Sequence, residues 1–235
     1  MKFLIVVCVL VCGASANVAP FLTACKPSDT ACLLASAKKA IPFVVAGVPE
    51  LGLQTLDPMT IDKVGSREAG LQLDMRDTTV KGLKNCEVPN FKRNGRRMNL
   101  DVKCPNLQLT GDYTLGGKLL ILPIEGKGKY KIRIRDILVK LQIDTADVEK
   151  NGDKFWKVAN WKFTTDIQTN VHYAFQNLFN GNQQAADTIH QFANTNWKEI
   201  YNEVGTPVTA AIVSRIVKAI EKMFEKVPVK EINLE

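Results

Sequence analysis

His172 and His190 are the residues of this chain best suited to move a proton near neutral pH. A base of that kind needs a nucleophile beside it. Beyond the first sixteen residues the serines are Ser28, Ser36, Ser66 and Ser214, and none lies in a G-x-S-x-G elbow. Ser28 is placed to cap a helix, and Ser214 falls inside a helical stretch. Gly111, Gly116, Gly117, Gly126 and Gly128 make neither a G-x-G-x-x-G fingerprint nor a P-loop, so they predict turns and strand bends. The acidic residues show no motif spacing and read as surface charge. Metal binding is not expected either: no C-x-x-C pair occurs, and both histidines are far from the cysteines. The residue types needed for catalysis are present, but their spacing assembles no catalytic group, cofactor site or metal centre. No enzyme is expected.

The first sixteen residues explain two of the six cysteines. Lys2, the apolar run Phe3 to Val11 and the small residues Ala14-Ser15-Ala16 come in the order of a secretory signal peptide cut after Ala16. The run is too short for the roughly 20 residues that span a bilayer. The expected mature chain, residues 17–235, is therefore extracellular. It keeps Cys25, Cys32, Cys86 and Cys104. An even number in a secreted chain predicts two disulfides, and spacing favours Cys25–Cys32 and Cys86–Cys104 among three connectivities. The formal net charge of +7 is mild, short of the dense field of a nucleic-acid binder.

The elements change character along the chain. Residues 28–47 predict a helix capped by Ser28 or Asp29, with Leu33, Leu34, Ala37, Ile41 and Val45 near helical spacing. From 71 to 170 the apolar period becomes two. Leu71, Leu73 and Met75 alternate with polar residues, as do Met98, Leu100 and Val102. Tyr130, Ile132 and Ile134 follow, then Ile137, Val139, Leu141 and Ile143, and last Trp161, Phe163 and Ile167. Asn94-Gly95, Gly126-Lys127-Gly128 and Asn151-Gly152-Asp153 predict turns between these strands. The pattern is an antiparallel meander with one apolar face. Residues 175–180 and 185–227 predict helix. Ile200, Val204, Val208, Ile212, Ile216, Ile220 and Phe224 repeat every four residues, with a bend expected at Gly205 and Pro207. A helix from about 193 to 226 would be ~50 Å long. The sheet must curl around so long an apolar stripe, since a flat sheet would leave an apolar face in water.

Four blocks carry a family resemblance over nearly the whole mature chain. They are Cys25-Lys26-Pro27-Ser28-Asp29 with Cys32; IPFVVAGVPELGLQTLDPMTI from Ile41 to Ile61; GDYTLGGKLLILPIEGKGKYK from Gly111 to Lys131; and LFNGNQQAADTIHQFANTNWK from Leu178 to Lys198. Together they resemble the takeout and insect juvenile-hormone-binding protein family. Hormone-binding members carry a disulfide in their C-terminal half, and this chain has no cysteine after Cys104. The resemblance is therefore to the broader takeout-like group. It implies an α+β fold: an elongated, highly curved antiparallel sheet wrapped on a long bent C-terminal helix, with an internal hydrophobic tunnel. It also implies a secreted carrier of a juvenile-hormone-like terpenoid, a fatty acid or another lipid, with residues 17–235 as one lipid-binding domain.

Alternation nominates the tunnel wall: Tyr130, Ile132, Ile134, Leu141, Trp161, Phe163 and Ile167 from strands, and Ile41, Val45, Ile212 and Ile216 from helices. The unusual charge feature is Lys127, Lys129, Lys131, Arg133 and Arg135, which at period two share one strand face. They predict a solvated outer face, with Tyr130, Ile132 and Ile134 pointing in. The alternative function rests on the same stripe: docking on an anionic membrane or an acidic receptor. Lys92, Arg93, Arg96 and Arg97 form a second basic cluster at the Asn94-Gly95 turn.

Overall fold

A computed structural model describes residues 17–67 and 70–234; the expected signal peptide lies outside them. Helix α1 spans Thr30–Ala46, and the Asp29 carboxylate accepts the Cys32 amide at 2.9 Å, satisfying a donor of the first turn. Six strands follow: β1 (Met59–Ser66), β2 (Leu71–Lys81), β3 (Glu87–Asn94), β4 (Arg97–Leu119), β5 (Leu122–Lys150) and β6 (Asp153–Phe175). The C-terminal part is helical: α2 (Gln183–Thr195), α3 (Trp197–Ile200), a π turn over Tyr201–Gly205, and α4 (Thr206–Lys226).

All pairings are antiparallel, in the order β1-β2-β4-β5-β6. Strand β3 also pairs with β4, over Arg97–Lys103, while β2 takes Gln108–Gly117. β5 covers the opposite side of β4 from Arg97↔Asp144 to Leu119↔Leu122 without a register shift. The sheet curls because single residues are inserted into its long strands. Asp77 and Asp136 sit at register shifts with φ of 49° and 53°. Such bulges bend a strand and raise its twist. Glycine makes room for one of them: a Cβ on Gly111 would stand 2.6 Å from the Arg76 carbonyl oxygen and 3.1 Å from that of Asp77. Helix α4 packs against both β1 and β6, the two edges of the sheet. A helix that touches both edges of one sheet is wrapped by it.

The turns differ from expectation in instructive ways. Asn151-Gly152 is a two-residue loop with both φ values positive, as its sequence predicts. At the next hairpin the loop is Gly95-Arg96, one residue later than expected, because Asn94 pairs with Arg97. Gly126-Lys127-Gly128 is no turn; it lies inside β5, and the chain reverses at Leu120-Ile121. Its glycines serve close approach instead. A Cβ on Gly126 would lie 2.6 Å from the Tyr113 hydroxyl, and one on Gly128 would lie 2.6 Å from the Gln176 carbonyl. Residues 175–180 are not an α-helix: Phe175 ends β6, and one 3-10 turn covers Phe179–Gly181.

The expected bend in the last helix is a π turn. Pro207 has no N–H to return to the Glu203 carbonyl, so regular bonding fails just before it. Gly205 fits the same place, since its Cβ would stand 2.5 Å from the Tyr201 ring.

Disulfides join Cys25 to Cys32 and Cys86 to Cys104. The second depends on another bulge. The β3–β4 register near the turn would set Cys86 against Pro105. The shift between Glu87 and Asn90, at Val88-Pro89, moves it by one residue and sets Cys86 opposite Cys104. The first bridge ties the N-terminal segment to α1, and Cys25 pairs in turn with Asn233 in the C-terminal tail.

Candidate functional site

Two apolar cavities lie in line along the molecule. The smaller spans about 800 Å3 and the larger about 1330 Å3, volumes that count space open to solvent as well as interior. Two elements measure their arrangement. On β4, Met98, Leu100 and Val102 line the larger cavity, and Leu109, Leu115 and Leu119 line the smaller. On the helical side the order reverses: Ile200, Val204, Val208 and Ile212 line the smaller, then Ile216, Ile220 and Phe224 the larger. All seven residues of the four-residue repeat therefore wall ligand-sized space. Between the cavities stand Leu107, Ile137 and Leu141, each buried and lining neither. They fall at intermediate positions along β4 and β5 and separate the two spaces.

The expected wall residues divide accordingly. Ile132, Ile134 and Ile212 line the smaller cavity; Ile41, Val45 and Ile216 line the larger. Tyr130, Leu141, Trp161, Phe163 and Ile167 line neither. Tyr130 is buried and donates its hydroxyl hydrogen to Thr78 Oγ1 at 2.7 Å. Burial pushes its phenol up to about 12, so it stays a neutral donor. Trp161 and Phe163 stack on each other, ring centres 6.1 Å apart, and pack on the core from the edge strand. A different tryptophan, Trp156, lines the larger cavity, edge-on to Phe224 at 5.4 Å.

Two hydroxyls of the smaller cavity bond each other, and its imidazole accepts a backbone amide. Tyr201 Oη lies 2.9 Å from Thr209 Oγ1 and 3.1 Å from Thr165 Oγ1. His190 Nε2 accepts the Phe175 amide at 3.0 Å, which places the proton of the neutral ring on Nδ1. Burial lowers its pKa, favouring that neutral form. Asn194 does related work: its amide accepts the Tyr173 N–H at 2.7 Å and donates to the Tyr173 carbonyl at 3.1 Å. Both side chains come from α2 and satisfy backbone groups on the open edge of β6, so His190 is a fastener of the edge. No serine or cysteine lines its cavity. His172 lies on the outer face, paired across the strands with Arg133. Among the described residues no cluster of three His, Cys, Asp or Glu side chains could hold a metal ion.

The larger cavity holds one charged residue, Arg93. In sequence it belongs to the basic cluster at the Asn94-Gly95 turn, which would either extend the basic patch or solubilise a loop tip. Strand β3 instead turns it inward beside Phe91, one pleat period away. The guanidinium carbon stands 4.2 Å over the Trp156 ring. The Val88-Pro89 bulge hides this from a simple alternation count, because it changes which residues of β3 point inward.

The chain matches the family model described as haemolymph juvenile hormone binding protein over residues 3–234. The chain belongs to that family. Within this family setting, the crystal structure of Takeout 1 from Epiphyas postvittana superposes with a TM-score of 0.87 at 31% identity, covering 91% of this chain and all of that one. Circadian clock-controlled protein daywake of Drosophila melanogaster is 26% identical over 224 residues, 89% of this chain and 86% of its own. The daywake protein of Drosophila yakuba is 25% identical over the same shares. The curled antiparallel sheet on a long C-terminal helix is thus the fold of a takeout-like member of the juvenile hormone binding protein family.

Sequence blocks that carry the family likeness serve architecture here. The Asp57 carboxylate of the L-D-P segment accepts the Gly82 and Lys84 amides at 3.1 and 2.9 Å, capping the turn before Cys86. Gly47 packs so closely on the next segment that a Cβ would lie 2.9 Å from the Leu53 carbonyl. The basic stripe lies on the outer face of β5: Lys127, Lys129, Arg133 and Arg135 are exposed and Lys131 is half-buried. Lys129 pairs with Asp112 at 3.2 Å, and both side chains are largely solvated.

Proposed function

We propose that this protein is a secreted, non-catalytic carrier that buries an apolar ligand in the apolar space between sheet and helix, the larger of the two in-line cavities being its main seat. One observation carries the reading. Every residue of the helix stripe that periodicity reads as core also borders one of the two apolar cavities. Burying ~300 Å2 of apolar ligand surface is worth ~7 kcal/mol before the entropic costs of binding. The geometry of His190 supports the absence of catalysis, because its one free lone pair is spent on a backbone amide. Solvent extraction of the freshly secreted protein, followed by mass spectrometry, tests the proposal. A stoichiometric apolar compound is expected, with detergent and polyethylene glycol controls blank. Delipidated protein that takes up no fatty acid, ester or terpenoid probe would refute it.

A second reading concerns delivery, and the hairpin tip favours it. Ile121 is 82% exposed at the β4–β5 turn. It lies between Leu119 and Ile124, both of which line the smaller cavity. Beyond it on β5 begins the basic stripe. We infer that this tip touches anionic membranes, with Ile121 entering the surface and the stripe attracted to the headgroups. Binding to phosphatidylserine vesicles should fall as salt rises and fall further in Ile121→Asp or in Lys129→Glu with Arg133→Glu. Absence of binding at low salt would dismiss this docking role and leave a solvated face.

A further inference from the structure

We propose that Arg93 anchors the carboxylate of an amphiphilic ligand whose apolar chain fills the larger cavity, so that the protein selects acids over their neutral esters. The proposal rests on the carrier reading and adds the chemistry of the ligand's head. Three observations converge on it. First, Arg93 is the one charged residue on a wall otherwise built of aliphatic and aromatic side chains. Two uncharged polar side chains also border it: Ser36 is occupied, its Oγ accepting the Thr23 amide at 2.9 Å and donating to the Thr23 carbonyl at 3.2 Å, and the Thr23 hydroxyl belongs to an exposed residue and carries no charge to pair with an acid.

Second, the guanidinium is positioned by neutral groups alone. Its Nε–H donates to the Gly95 carbonyl at 2.9 Å, one terminal nitrogen donates to the Asn233 side-chain carbonyl, and its flat face rests on Trp156. Among the described residues no carboxylate forms a salt bridge with it, whereas Arg96 and Arg97 on the same hairpin pair with Asp147 and Asp144. A guanidinium carries five N–H donors. Two are spent on these contacts, and the rest have no partner among the described residues. Third, the position is costly for a cation. Burial lowers the pKa of Arg93, only partly offset by the Asp147 charge. A planar carboxylate matches the donor fork, neutralises the charge and adds charge-assisted bonds at a half-buried position. The smaller cavity offers nothing equivalent, since its hydroxyls and imidazole bond to each other and to the backbone.

The test titrates delipidated protein with hexadecanoic acid and with its methyl ester, each displacing a neutral fluorescent polyene. Wild type should bind the acid tighter by on the order of 10- to 100-fold, the range of a buried charge-assisted hydrogen bond. Arg93→Met keeps the apolar stem and should abolish the preference by weakening the acid alone. Arg93→Lys should retain part of it. Equal affinity of wild type for acid and ester overturns the proposal without recourse to any variant, and so does a preference that survives in Arg93→Met. If the ester binds as well as the acid, the carrier reading stands and only the anchor fails; if neither binds, both fall.

Discussion

Truncating Ile216 and Ile137 to alanine should separate cavity wall from packed core on one molecule. Ile137 is 1% exposed, lines neither cavity and sits in the partition between them. Ile→Ala removes three carbons, worth ~2.4 kcal/mol at ~0.8 kcal/mol per buried methylene. The new void adds a penalty, so Ile137→Ala should cost ~3–5 kcal/mol. Ile216 is half-buried and faces the larger cavity. Its removed carbons were only partly in contact, and the space they vacate joins space already present. The transfer loss then falls to ~1 kcal/mol, with no separate void penalty. For a domain of this size 1 kcal/mol shifts Tm by ~2–4 °C. Urea denaturation of delipidated wild type and both variants measures the costs, and binding of a fluorescent fatty acid measures the consequence for function. Ile216→Ala should shift affinity or chain-length preference while hardly moving stability. Ile137→Ala should do the reverse, or else merge the cavities and admit longer chains. Equal large losses of stability at both positions, with binding unaltered, would show that the helix stripe is core and that ligand is held elsewhere.

Two further outcomes follow from the polar contacts. His190 is held neutral in the fold, its pKa lowered from an ordinary 6.5, so the unfolded chain binds the proton more readily. Stability should therefore rise with pH up to about 6.5 and fall as the medium is acidified below it, and His190→Gln should flatten that slope; an unchanged profile in urea melts at pH 5 to 7 would contradict the assignment. Gly205→Ala should lower Tm measurably, because the added methyl stands 2.5 Å from the Tyr201 ring, and pairing it with Tyr201→Leu should recover much of the loss; additive losses would place the conflict somewhere other than that ring.

Periodicity made most of the architecture legible. The helix stripe, the alternation on β2, β4 and β5 and the Asn151-Gly152 turn all follow local rules that the fold obeys. The departures share a cause. A single inserted residue reverses which side chains of a strand point inward, and nothing in an alternation count registers the insertion. At the shift beside Asp136 the extra residue is on β6, where Gln168-Thr169 oppose it, while the apolar series on β5 changes phase between Ile134 and Ile137; that change of phase is the signal in the sequence. At Val88-Pro89 the signal was the proline, which cannot donate to the ladder and so marks an irregular place in a strand. The bulge there turns Arg93 from the basic cluster at the hairpin into the cavity wall.

Core and cavity wall are harder to tell apart, because both are written in the same apolar residues. Tyr130 and Ile132 are neighbours on one inward face, yet one bonds Thr78 in the core and the other borders open space. What distinguishes them is the distance between sheet and helix at each point along the molecule. Bulges and the π turn at Tyr201–Gly205 bend the sheet and the helix at single points, and a periodicity count does not register them. The charged residue at the cavity wall becomes readable only when the structure places it there. An arginine at an inward strand position, supported by neutral groups and an aromatic face, is hard to justify by stability alone. Its desolvation is only partly offset by the Asp147 charge, and a group of opposite charge would complete the offset; that is why the cavity, more than the stripe that walls it, points to the chemistry of its occupant.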